Sequence, residues 1–184
     1  MSLEAAKELA PTGVLRAAIN MSNFLLVTGR TAGGDPDGVS PDMARELAKR
    51  LGVDLELIQY KTPGEVSDDA GKGIWDIGNI GAEPKRAEKI DFTAAYCEIQ
   101  STYMVPPGSK ITSLDQVDQT GNRIAVSARS AYDLWLERNI KKAELVRVDG
   151  IDASFDIFME KKLEALAGLR PRLISDVERV PGAK

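Results

Sequence analysis

The chain of 184 residues is long enough for one medium domain or two small lobes. Its net charge of −4 argues against a nucleic-acid partner, which needs a basic face, and no apolar run approaches the ~20 residues of a membrane-crossing helix. With Cys97 as its only cysteine and no histidine, the sequence excludes an intrachain disulfide, a thiolate zinc site, a histidine base and a Ser-His-Asp triad.

The first residues, Met1-Ser2-Leu3-Glu4, lack the basic and apolar regions of a signal peptide. This fits a cytoplasmic protein or one whose leader has been removed. Val14-Leu15-Arg16-Ala17-Ala18-Ile19 reads as a short buried strand, followed by a Gly- and Asp-rich loop over 29–38. The clearest helix comes next, with Ser40 as its N-cap, Pro41 at the first helical position and Gly52 after its end. Met43, Leu47 and Leu51 recur every four residues beside Ala44 and Ala48, predicting one apolar face. Val53, Leu55 and Leu57 then alternate with Asp54 and Glu56 as a half-buried strand does. A weaker helix over 63–70, a strand over 74–78 and a short charged helix over 84–89 complete the first series. Residues 96–105 read as extended, and Pro106-Pro107-Gly108 breaks the chain.

A second series follows. Ser113 caps a short helix, Arg123-Ile124-Ala125-Val126 is a strand, and Ser130 with Asp133 forms the pattern of a capping box before Tyr132, Trp135 and Leu136. Residues 144–148 form a strand. Ile151, Phe155, Phe158 and Met159 mark a helix, 165–169 a strand and 171–177 a last helix. Strand and helix alternate twice, so the expected fold is α/β: two doubly wound lobes with largely parallel sheets, lobe 1 over 1–103 and lobe 2 over 104–184. Ligands of such sheets sit beyond the carboxyl ends of the strands, which points to a small polar solute held in an interlobe cleft.

Candidate contacts therefore follow strands: Asn20, Ser22, Asn23 and Phe24 after the first, Asn79, Gly81 and then Arg86 after the third, and Ser127, Arg129 and Ser130 in the second lobe. Ser130 opens a helix whose amino-terminal amides and dipole favour an anion, although the same residue serves as a plain cap. Arg86 lies in a charged run that forms a solvated surface, yet its planar fork suits a carboxylate. Phe24 either covers a ligand or packs with Leu25 and Leu26. Glu164 immediately precedes the strand at Ala165. Gly71-Lys72-Gly73 resembles the start of a dinucleotide fingerprint but precedes a strand and lacks the third glycine, and no P-loop is present.

Ser40-Pro41-Asp42-Met43-Ala44 through Ala48-Lys49-Arg50-Leu51-Gly52, Gly73-Ile74-Trp75-Asp76-Ile77, Pro84-Lys85-Arg86, Ile90-Asp91-Phe92-Thr93 with Tyr96, and Ser113 through Gly121-Asn122-Arg123-Ile124-Ala125-Val126 occur in the order of a known family. The chain resembles the extracellular solute-binding proteins of family 3, the type II periplasmic receptors of polar amino-acid ABC transporters, from about Val14 to Leu169. The resemblance implies that Arg86 clamps a ligand carboxylate, that Asn79 and Gly81 stand where small hydroxyl residues or backbone meet the ligand, and that Ser130 supplies a hydroxyl. It implies further that Arg129 replaces a glycine and narrows the cleft, that Glu164 replaces an aspartate for the ammonium, and that Asn23 and Phe24 replace a stacking aromatic. A strand returning from lobe 2 to lobe 1 is expected after Val180 and is missing from the chain. The function implied is capture of a small amino-acid-like or carboxylate ligand outside the cytoplasm and its delivery to a membrane permease, with no cofactor and no metal. The alternatives are a dehydratase acting on cyclohexadienyl acids, with Glu164 as general acid, and a sensor module fused to a signalling protein.

Overall fold

The computed structural model describes residues 3–184; Met1 and Ser2, part of the amino-terminal stretch read above, lie outside the described residues. Contacts divide the chain into two units, Met1–Asp91 and Phe92–Lys184.

The first unit is built on β1 (Val14–Asn20), which pairs in parallel with β4 (Asp54–Tyr60) along its whole length and with β5 (Ile77–Gly78) over two residues. From Ala17 to Asn20 every residue of β1 is buried, as the central strand of a parallel sheet requires. Around this sheet lie α1 (Leu3–Leu9), a small hairpin of β2 (Gly29–Arg30) and β3 (Pro36–Asp37), α2 (Val39–Leu51), α3 (Pro63–Asp68) and α4 (Pro84–Ala87). Neither α1 nor the hairpin stands out in the sequence. In α1, Leu9 packs with Ala10 and Leu15 against Ala48 of α2.

Local expectations change at α2 and at β5. The N-cap of α2 is Gly38, not Ser40, because the chain enters the helix at φ 127 and ψ −171, a conformation open essentially to glycine alone. A Cβ there would lie 2.8 Å from Leu26 O and 2.9 Å from Thr28 N. The apolar face of α2 is also rotated: Ala44 and Ala48 are buried against the sheet, whereas Met43 is 40% exposed. The small residues allow close helix–sheet approach, and the methionine is left outside. α3 carries a capping box, Thr62 with Glu65. β5 is shorter than the expected strand over 74–78 because Gly73 turns at φ 69 and the Trp75 indole donates to Val66 O instead of lying along the sheet.

In the second unit the sheet runs β6-β9-β7-β8, with β6 (Ser101–Met104) antiparallel to β9 (Ala165–Leu169), and β7 (Arg123–Ser127) parallel to both β8 (Glu144–Val148) and β9. Successive residues of β7 point to opposite faces. Ala125 joins Phe155 and Phe158 of α6 (Ile151–Glu160) and Leu173 of α7 (Arg170–Arg179) on one side. Ile124 and Val126 join Leu136 of α5 (Ala131–Asn139) on the other. A 3₁₀ turn over Leu114–Gln116 precedes β7; Ser113 stands at its N-cap position without a side-chain cap bond. Of the expected extended segment 96–105, only Ser101–Met104 is strand. Because it pairs with β9, it belongs with the second unit, whereas the sequence reading ended the first lobe at residue 103.

The two units share one construction. In the first, Asp76 immediately precedes β5 and accepts from Arg16 of β1: from the backbone N at 2.9 Å, Nε at 2.9 Å and Nη2 at 2.6 Å. In the second, Glu164 immediately precedes β9 and accepts from Arg123 of β7: from the backbone N, Nε and Nη2, each at 2.9 Å. Each arginine also reaches a nearby carbonyl, Gly73 O or Lys162 O. The fork-to-carboxylate match ties the amino end of each central strand to the strand beside it.

Candidate functional site

The functional edge of a parallel α/β sheet is where its strands end, and in the first unit that edge is polar. Asn20, the last residue of β1, is buried, and its Oδ1 accepts from the Ser22 amide at 3.2 Å and the Ser22 hydroxyl at 2.8 Å. Asn23 turns the chain, its Oδ1 accepting from Leu25 N at 3.2 Å, and Phe24 beside it is half-buried. Asn79 follows β5 directly and donates through Nδ2 to the Ser40 hydroxyl at 3.1 Å, so the start of α2 is bound to the end of the neighbouring strand. Ser40, read from sequence as a cap, is instead a buried acceptor for a candidate site residue. Arg86 sits in α4, whose first turn is capped by Glu83 accepting from Lys85 N. Its side chain is buried rather than solvated, and Nη1 donates to Gly81 O at 2.9 Å. Asn23, Phe24, Asn79, Gly81 and Arg86 thus all follow carboxyl ends of strands in this unit.

In the second unit β7 ends at Ser127, and the chain turns through Arg129 into α5. Ser130 is the N-cap: its Oγ accepts from Asp133 N at 3.1 Å. Asp133 does not complete a reciprocal box. Its Oδ2 accepts from Arg129 N at 2.7 Å, one residue earlier, while Oδ1 accepts from Arg147 Nε of β8 at 2.8 Å. Arg129 adopts φ 59, which side-chain-bearing residues rarely take, and the buried Asp133 fixes its amide there. Burial raises the Tyr132 phenol above its ordinary value, although hydrogen bonds with Ser130 and Ser127 act in the opposite direction. Asp133 was visible in the sequence only as a capping residue. Its pairing with Arg147 depends on β7 and β8 lying side by side.

Glu164 is not brought to this edge, which corrects the expectation that it meets a ligand ammonium. It stands level with Arg123, the first residue of β7, about 13 Å from Ser127 at the usual rise per strand residue. Both of its oxygens are occupied by Arg123, whose hydrogen bonds, working against burial, hold the carboxyl below the usual glutamate range. A group at the amino ends of the strands, ion-paired and ionised, takes no part in chemistry at the carboxyl ends.

Two α/β units, each with a polar edge where its parallel strands end, define a fold of the solute-binding type. The chain belongs to the bacterial extracellular solute-binding proteins, family 3, which it matches over residues 19–171. It is 24% identical over 134 residues to the L-cystine-binding protein TcyJ of Escherichia coli K12, covering 72% of this chain and 50% of that protein. It is 27% identical over 166 residues to the cyclohexadienyl dehydratase of Pseudomonas aeruginosa, covering 84% and 61%. Among solved structures, the cysteine-binding protein from Campylobacter jejuni superposes with a TM-score of 0.76 at 20% identity, covering 98% of this chain and 73% of that one. An ancestral amino acid-binding protein, AncCDT-1, does so with a TM-score of 0.75 at 21% identity, covering 91% and 75%. The chain spans about half the length of the first of these curated relatives.

Proposed function

We propose that this chain is the ligand-binding part of an extracytoplasmic receptor that captures a small amino-acid-like or carboxylate solute and hands it to an ABC permease. The observation that carries the reading is the placement of Arg86. It is an arginine on the helix after β5, bonded to the Gly81 carbonyl, in a chain of this family. A guanidinium fork pairs with a carboxylate through two parallel hydrogen bonds, and no other side chain does this as well. Ser130 and the first-turn amides of α5, at the carboxyl edge of the second unit, offer acceptor and donor groups of the kind that a carboxylate takes. Asn23, Asn79, Gly81 and Phe24 shape the remainder. The relatives named for L-cystine and cysteine make sulfur-containing amino acids the first ligands to try.

The dehydratase reading has a named relative but loses its acid. A general acid at neutral pH needs a carboxyl raised by burial, and the one weighed for that role, Glu164, is lowered by Arg123. The test is a thermal-shift screen over amino acids, amines and small carboxylates, because a ligand of the folded state raises Tm. A hit should be lost or weakened at least ten-fold in Arg86→Lys, which keeps the charge and removes the fork. Unchanged affinity in that variant refutes the clamp; a screen without any shift refutes the receptor.

A further inference from the structure

On β8, Leu145 packs with Leu136 of α5, and Arg147, two residues on, shares that face of the sheet one step nearer its carboxyl edge. There Arg147 Nε donates to Asp133 Oδ1 at 2.8 Å, and Nη2 lies 3.6 Å from Glu137 Oε1, one turn further along α5. The arginine matters differently to the two acids. The Glu137 side chain is 54% exposed and is screened by water, whereas that of Asp133 is 4% exposed. Asp133 is also tied to the turn that carries Ser130: Oδ2 accepts from Arg129 N at 2.7 Å, and its own amide donates to Ser130 Oγ at 3.1 Å. A shielded carboxylate thus stands against the same turn as the Ser130 hydroxyl and the amides of Ala131 and Tyr132, which have no acceptor within the helix. Its bond holds Arg129 at φ 59, so the negative charge comes with the turn. Left alone, that charge opposes the anion which the donors of the turn suit.

We propose that Arg147 is a positioning residue that acts through Asp133: by neutralising this carboxylate it lets the Ser130 turn take the carboxylate of a ligand. This rests on the receptor reading above and adds to it the residue that sets the charge preference of the second unit. A like charge about 6–8 Å from a bound anion weakens binding by roughly thirty- to a hundred-fold at an effective dielectric constant of about 20, and part of that survives solvent screening.

The experiment uses the full chain and four probes that share an α-carboxylate, L-cysteine, L-cystine, L-glutamine and L-arginine, by isothermal titration; the tightest is carried into the variants. Arg147→Gln should weaken its binding at least ten-fold, and Arg147→Lys, which keeps the charge, by no more than about three-fold. The deciding variant joins Arg147→Gln with Asp133→Asn and removes both charges. Its affinity should return to within about three-fold of the parent, whereas a clamp that merely holds β8 to α5 leaves the double variant at least as weak as the single one. If Arg147→Gln fails to fold by circular dichroism, Asp133→Asn alone decides. The asparagine Oδ1 still accepts from Arg129 N while Arg147 loses its opposing charge, so the probe should bind at least three-fold more tightly than to the parent. Unchanged affinity in Arg147→Gln, no recovery in the double variant, or no gain in Asp133→Asn overturns the assignment and leaves the receptor reading intact. A chain that binds none of the four probes overturns the assignment as well, and only an empty thermal-shift screen takes the receptor reading with it.

Discussion

Replacing Gly38 by alanine tests whether the entry into α2 is fixed by conformation, by crowding or by both. At φ 127 and ψ −171 a side-chain-bearing residue costs about 1–3 kcal/mol in backbone strain. The added methyl would also stand 2.8 Å from Leu26 O and 2.9 Å from Thr28 N. Because these are backbone atoms, relief requires moving the chain, and overpacking of this kind costs about 1–3 kcal/mol more. The expected loss is therefore about 2–6 kcal/mol. In a chain of this length each kcal/mol lowers Tm by about 2–4 °C, so a loss of about 3 kcal/mol means roughly 6–12 °C. Urea unfolding followed by circular dichroism measures the loss directly. Gly13→Ala is the control: φ there is 83, but no atom lies within 4 Å of the added methyl, so only conformational strain of about 1–2 kcal/mol applies. If the two variants lose the same stability, the close approach to Leu26 and Thr28 contributes nothing and the reasoning fails. The substitution should also disturb the hydrogen bond from Asn79, since Ser40 lies two residues into the displaced helix.

Glu164→Gln should leave ligand affinity within two-fold of the parent while lowering stability at neutral pH. The folded carboxyl is depressed by Arg123, so its stabilisation is complete above the unfolded value of about 4.3 and is lost as pH falls through the lower folded value. The gap between parent and variant in urea midpoint should close on acidification, and a gap that is constant with pH would contradict the pairing. Phe158→Ala empties a site that is 1% exposed, where α6 packs on the face of the sheet beside Ala125 and Leu166, with an expected loss of about 3–5 kcal/mol in urea unfolding. A loss below about 1.5 kcal/mol would mean that α6 collapses onto the sheet and the packing is looser than it looks.

Much of the fold was legible because short-range pattern and final burial coincide. Residues 144–148 and 165–169 form strands with the bounds their sequence suggests, since Lys141-Lys142 and Asp149-Gly150 punctuate the first and Glu164 and Arg170-Pro171 the second. Ser40 misled because Ser-Pro is a strong local start signal. The constraint that wins, the approach of Gly38 to Leu26 and Thr28, joins residues at least ten positions apart. β5 shrank for the same reason: the pattern Ile74-Trp75-Asp76-Ile77 is strand-like, but Trp75 and Asp76 bond to α3 and β1 side by side. The case of Glu164 differs. A residue that immediately precedes a parallel strand lies at its amino end, and the site residues follow strands, so residue order alone separates them.

The paired arginine and carboxylate at the amino edge of each unit have a consequence for how the protein can change over generations. What anchors each central strand to its neighbour lies at one rim, and the polar residues proposed to meet ligand lie at the other, a strand's length away. Substitutions at the ligand rim therefore leave the anchors untouched, and their effects on folding and on recognition should add independently. Separating the two jobs in this way gives one scaffold room to trade one small solute for another without being rebuilt.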